Sequence, residues 1–63
     1  MNAIAVRIAV IEDELPIRRF LRASLQAEGF EVAECATARD GLRHITQNRP
    51  HLVLLYLGLP DGD

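Results

Sequence analysis

Two hydrophobic periods alternate along the chain. Residues 5–11, AVRIAVI, are β-branched and mostly apolar and predict a buried strand, with Arg7 near its entry. Ile17, Phe20, Leu21, Ser24 and Leu25 then recur at helical spacing, with Arg18, Arg19, Arg22 and Gln26 on the other side. That pattern predicts a helix over residues 16–28. Pro16 suits a first helical turn, and the acids just before it suit the helix's positive end. Gly29 fits the position just past the helix, with Phe30 packing back on the last turn. The segment EVAEC, Glu31–Cys35, is short and half polar and reads as an edge strand. Thr37 with Asp40 resembles a capping box, Leu42 and Ile45 give a modest apolar face through Asn48, and Pro50 closes this second helix. Residues 52–57, LVLLYL, form an apolar run that breaks at Gly58 into a Pro/Gly/Asp turn, the pattern of a strand in a parallel sheet.

The order strand-helix-strand-helix-strand with short connections predicts one α/β domain over residues 1–63. Right-handed crossovers arrange its three parallel strands in the spatial order 2-1-3. The most hydrophobic strand then lies at an edge, with unpaired backbone groups and bare apolar faces that natural sheets avoid. Either more chain follows or a second copy supplies the missing neighbour. For this chain the expectation is a homodimer built on Leu52, Val53, Leu54, Leu55 and Leu57, by antiparallel pairing across a two-fold axis.

Composition narrows the classes. A chain of 63 residues, 49% hydrophobic and 25% charged, is globular in make-up but has a marginal core. A net charge of −2 gives no long-range attraction to nucleic acid or anionic membrane. No apolar run approaches the roughly 20 residues of a membrane span. The single Cys35 excludes an internal disulfide and fits a reducing, cytoplasmic setting. All seven basic residues other than histidine are arginine.

Open α/β sheets place their chemistry beyond the carboxyl ends of the strands. There the chain offers Glu12, Asp13 and Glu14 after the first strand, and Tyr56 at the end of the third. Two carboxylates held together repel, and a dication relieves that repulsion; the plainer reading is a solvated acid cluster at a helix start. Tyr56 is expected to fill the pocket and donate its hydroxyl to Asp13 or Glu12. His44 and His51 lack ligand spacing and read as surface residues, and Cys35 as a small apolar filler. Arg18, Arg19 and Arg22 have no interleaved aromatic and do not read as a nucleic-acid patch.

The segments VIEDE, IRRFL, the Gly29-Phe30 turn and LVLLYLGLPDGD resemble the receiver domain of bacterial two-component response regulators, of the KdpE type within the OmpR-like group. The likeness covers essentially the whole chain but only the first half of a receiver, so it implies a truncated flavodoxin-like fold. In that family a histidine kinase donates a phosphoryl group to an aspartate ending the third strand. An acidic pair after the first strand holds Mg²⁺ with that aspartate and a backbone carbonyl two residues on. Position by position, Glu12 and Asp13 fall on the acidic pair, Gly58 supplies the carbonyl, and the phosphoacceptor position falls on Tyr56. A phenol, with an ordinary pKa of about 10, is neutral near pH 7 and a poor Mg²⁺ ligand. The family's later Ser/Thr and Lys have no counterpart here.

The resemblance therefore implies a degenerate receiver module that is not an enzyme and takes no phosphoryl group. No cofactor is expected beyond weak Mg²⁺ at Glu12, Asp13 and Gly58. Its first partner would be itself. Arg18, Arg19 and Arg22 on the first helix offer a second surface, for a sensor histidine kinase or an intact response regulator. A decoy of that kind and a non-functional remnant are the rival readings, and a Mg²⁺-dependent phosphotransfer enzyme lacks a nucleophile. DNA binding in the family belongs to a separate domain and is not carried over, and no membrane role is expected.

Overall fold

The computed structural model describes residues 4–56, and within them every predicted element is present. β1 (Arg7–Ile11) runs through the middle, β2 (Glu31–Cys35) pairs with one side and β3 (Leu52–Leu55) with the other, both parallel, in the order β2-β1-β3. Ala9 aligns with Ala33 on one flank and Val53 on the other. The helices α1 (Leu15–Ala27) and α2 (Ala38–Asn48) make the two crossovers. These run in opposite directions, so right-handedness puts α1 and α2 on opposite faces.

The core is β1. Ile8, Ala9, Val10 and Ile11 are buried, joined by Cys35 from β2. A strand flanked on both edges and covered on both faces needs small or branched apolar residues on both sides, which is how AVRIAVI reads. The stretch after Leu52 does not hold that place. β3 touches β1 alone among the described elements, and Leu52 and Leu55 remain 50% and 63% exposed. The strand also ends at Leu55, not at residue 57; Tyr56 lies just past it, and Leu57 lies outside the described residues.

The helix ends follow local chemistry. Gly29 sits at φ 94°, Gly29 N–H donates to Gln26 O at 2.9 Å and Phe30 N–H to Leu25 O at 3.2 Å, a Schellman closure of α1. Thr37 Oγ1 accepts from Asp40 N–H at 3.0 Å at the start of α2. Arg49 closes α2 in the left-handed region at φ 48°, and Pro50 follows. At that end Arg7 donates to the carbonyls of Asn48 and Arg49, at 2.6 and 3.0 Å, so a strand-entry arginine satisfies the last carbonyls of α2.

Phe20 stands on the apolar side of α1 as its spacing implies, yet it is 68% exposed, because α1 packs on β2 and β1 and leaves β3 bare. Gly41 is buried in α2 against Ile11. A Cβ there would lie 2.6 Å from Ile11 Cγ1 and still closer to Cδ1, so the absence of a side chain lets α2 approach β1. Gly41→Ala therefore forces a β-branched core residue off its rotamer. The expected cost is about 1–3 kcal/mol. At fixed protein concentration it should lower the thermal midpoint by about 4 °C or more, read by circular dichroism. An unchanged midpoint would mean that the contact is slack.

Burial pushes the Cys35 thiol above its ordinary pKa, Asp40 adds to the rise, and Arg18 opposes it. A thiol that holds its proton more tightly when folded contributes stability that is complete below the unfolded thiol range. That contribution is lost as pH rises through the folded value. Urea midpoints should therefore fall further between about pH 8 and 10 for the wild type than for Cys35→Ala. Parallel losses would contradict this assignment.

Candidate functional site

At the carboxyl end of the sheet both ladders run one step past β1. Glu12 N–H donates to Cys35 O at 3.0 Å, and Tyr56 N–H donates to Ile11 O at 2.9 Å. Glu12 is thereby enclosed between its neighbours and is 0% exposed. Its Oε2 accepts the N–H of Glu14 at 2.7 Å, while Oε1 has no partner among the described residues. Glu14 is the N-cap of α1, and its own side chain makes no capping bond. The buried carboxylate of Glu12 thus braces the entry to α1, where backbone donors would otherwise be free. Asp13 points into solvent.

The register Ile11↔Leu55 brings Glu12 and Tyr56 side by side in sequence position, as the meeting of two parallel strand ends requires. The expected hydrogen bond from the Tyr56 hydroxyl to Glu12 or Asp13 is not formed. Tyr56 is 57% exposed, and its ring lines a groove with Leu54, Leu55 and the α1 residues Ile17, Phe20 and Leu21. The ring packs along that apolar groove, although Glu12 Oε1 is without a partner among the described residues.

A Mg²⁺ ion of the kind the family resemblance implies meets a poor donor set here. Mg²⁺ demands near-octahedral oxygen ligands and dehydrates reluctantly. Glu12 Oε1 is an orphaned oxygen that a cation would satisfy, but its carboxylate is buried and bonded at its other oxygen. The third position offers a phenol, and among the described residues no three acidic, histidine or cysteine side chains cluster. Gly58 lies outside the described residues. The described residues do not fit the ion.

The three arginines of α1 separate. Arg18 and Arg22, one helical turn apart, share the carboxylate of Glu34 on β2: Arg18 Nε lies 3.0 Å from Oε1 and Arg22 Nη1 2.6 Å from Oε2. Arg18 also donates to Glu12 O at 2.8 Å. These two guanidiniums lie on the packing side of α1, where they clamp it to β2 and to the acidic turn, not on the outward face that the spacing suggested. Arg19 alone of the three is exposed. Glu34 was the partner the sequence hid. An acid in a half-polar edge strand opposite two arginines at i and i+4 was the available signal.

The histidines are structural in a small way. His51 Nδ1 accepts the backbone N–H of Arg7 at 2.9 Å, and His44 Nδ1 lies 3.1 Å from Asn48 Nδ2. Among the described residues no helix is long and apolar enough to cross a membrane.

Comparison with known proteins agrees with this geometry. Residues 8–63 match the model of the response regulator receiver domain. The chain is 46% identical over 56 residues to the KDP operon transcriptional regulatory protein KdpE of Escherichia coli K12, covering 89% of this chain and 25% of that protein. It is 41% identical over 54 residues to KdpE of Mycobacterium tuberculosis, covering 86% and 24%. To the virulence transcriptional regulatory protein PhoP of Salmonella typhimurium it is 33% identical over 58 residues, covering 92% and 26%. The chain spans about a quarter of the length of these relatives. With a parallel sheet in the order 2-1-3 and a matching model over residues 8–63, the chain belongs to the receiver domain family of two-component response regulators.

Proposed function

We propose that this chain is a receiver module of two-component signalling that accepts no phosphoryl group, performs no catalysis, and acts in the cytoplasm by association, first with its own kind. One observation carries the reading. Tyr56 occupies the end of β3 beside Glu12, the position onto which the family likeness places the phosphoacceptor aspartate. An aspartate there would offer an ionised oxygen both to the phosphoryl donor and to Mg²⁺. A phenol offers neither near neutral pH, and a phosphotyrosine would be a stable ester in place of a labile acyl phosphate.

A sensor kinase or an intact regulator remains the second kind of partner, as for a decoy. Arg18 and Arg22 are held by Glu34, so the exposed Arg19 is the arginine of α1 free to meet one.

The reading is tested by incubating the full chain with an acyl phosphate donor and Mg²⁺ and weighing the intact protein. The expected result is no added phosphoryl group, together with flat NMR spectra at Glu12 and Asp13 through millimolar Mg²⁺. A mass increase that Tyr56→Phe abolishes, or a saturable Mg²⁺ shift at those two residues, would contradict it.

A further inference from the structure

The pairing of β1 with β3 begins at Ile8↔Leu52, and one residue earlier a side chain closes the sheet. His51 N–H donates to Arg7 O at 2.8 Å, and Arg7 N–H donates in return to Nδ1 of the His51 ring at 2.9 Å. The chain enters β3 through the left-handed Arg49 and through Pro50, and a ring nitrogen takes the place of a strand carbonyl as acceptor. The same arginine reaches Asn48 O and Arg49 O with its guanidinium. Arg7 thus makes four hydrogen bonds to residues 48–51. Of their partners, the imidazole is the one that can take up a proton near neutral pH.

A backbone N–H donates and cannot accept, so Nδ1 is the unprotonated nitrogen of this ring and the proton sits on Nε2. A second proton would turn Nδ1 into a donor facing a donor, and an imidazolium has no acceptor left to offer. The charges around the ring give it no compensation. Arg7 faces it from β1 and Arg49 stands two residues before it. On α2 the titratable neighbour is His44, whose Nδ1 lies 3.1 Å from Asn48 Nδ2. Glu31 aligns with Arg7, but from β2 on the opposite flank of β1. Among the described residues no carboxylate pairs with His51. A charged ring would therefore join two guanidiniums without a counter-ion. His51 is exposed, so protons from solvent reach it and the ring has room to swing out.

We propose that His51 is a proton-operated latch at the entry of the sheet. The neutral ring ties the amide of Arg7 to the start of β3, and the imidazolium lets it go. The release is local. The guanidinium of Arg7 still holds the end of α2, and at the far end of the strand Tyr56 N–H still donates to Ile11 O. Among the described elements β3 touches β1 alone, so the fraying stays on that side of the sheet. Proton concentration thereby sets how firmly the exposed start of β3 is held. The latch is independent of the reading of Tyr56 and works whether or not that residue takes a phosphoryl group.

The experiment follows the full chain by nitrogen-15 NMR from about pH 8 to about 5.5, which brackets the ordinary histidine value of about 6.5. At the neutral end the ring nitrogens of His51 should report the Nε2–H tautomer, with a coupling across the hydrogen bond from the Arg7 amide to Nδ1. On acidification the Arg7 amide proton should move upfield, as loss of a hydrogen bond requires, along the same curve as the His51 ring protons. His51→Asn sets an amide oxygen near the place of Nδ1 and takes up no proton, so in that variant the Arg7 amide should stop titrating. His44→Gln should leave the titration as in wild type. A neutral His51 with its proton on Nδ1, or an Arg7 amide that stays put while His51 titrates, would overturn the proposal. So would an Arg7 amide that titrates unchanged in His51→Asn or ceases to titrate in His44→Gln. The tautomer and the shared curve are read on the wild-type chain, so they decide the matter even where a variant fails to fold.

Discussion

Everything in this structure hangs on the double pairing of β1. Among the described residues it is the one strand with a neighbour on each side, and its Ile8–Ile11 stretch is where both ladders and both helices converge. Domains of about 60 residues bury only about 60% of their unfolded surface, so a core this small has little redundancy. That explains why details around β1 are tight. Gly41 lets α2 sit on Ile11, Cys35 is small enough to fill the β2 side, and Arg7 ties the strand's entry to the end of α2.

At the carboxyl end of β1 a carboxylate performs a structural task. Glu12 is placed where the likeness puts half of an acidic pair, and its carboxylate braces the backbone entering α1. Arg18 reaches the carbonyl of the same residue and, with Arg22, fixes α1 to Glu34 of β2. A buried carboxylate with one unpartnered oxygen is costly, which argues that position as well as charge keeps it there. Tyr56, turned to the apolar groove, takes no part in this polar network. Among the described residues no side-chain hydrogen bond joins the acidic turn to Tyr56.

Much of the fold could be read from the chain, because its signals are local. The strand residues 5–11, the turn at Gly29, the cap at Thr37 and the stop before Pro50 each state a backbone preference that tertiary contacts did not need to override. Even the edge place of residues 52–57, the most hydrophobic stretch, followed from the short connections, which put the more moderate AVRIAVI in the middle. What stayed hidden was relational. Arg18 and Arg22 looked like a solvent face, because a helical wheel does not show that an acid on β2 awaits them. For the site, sequence placed Glu12, Asp13 and Tyr56 at one end of the sheet, but burial decided that Glu12 turns inward and Tyr56 outward. The buried contact of Gly41 had no signature at all, since a mid-helix glycine reads first as a weakness.

The central claim is that β1, paired on both sides, holds the fold, while β3 rests on β1 alone among the described elements. Residue-resolved amide hydrogen exchange tests it most directly. The account predicts that the amides of Ile8–Ile11 are the most protected, and that Tyr56, bonded to Ile11, keeps whatever protection β1 gives it. Val53 and Leu55, whose N–H groups face away from β1, should exchange faster than Ile8–Ile11. Exchange at Val53 and Leu55 as slow as at Ile8–Ile11 would contradict it.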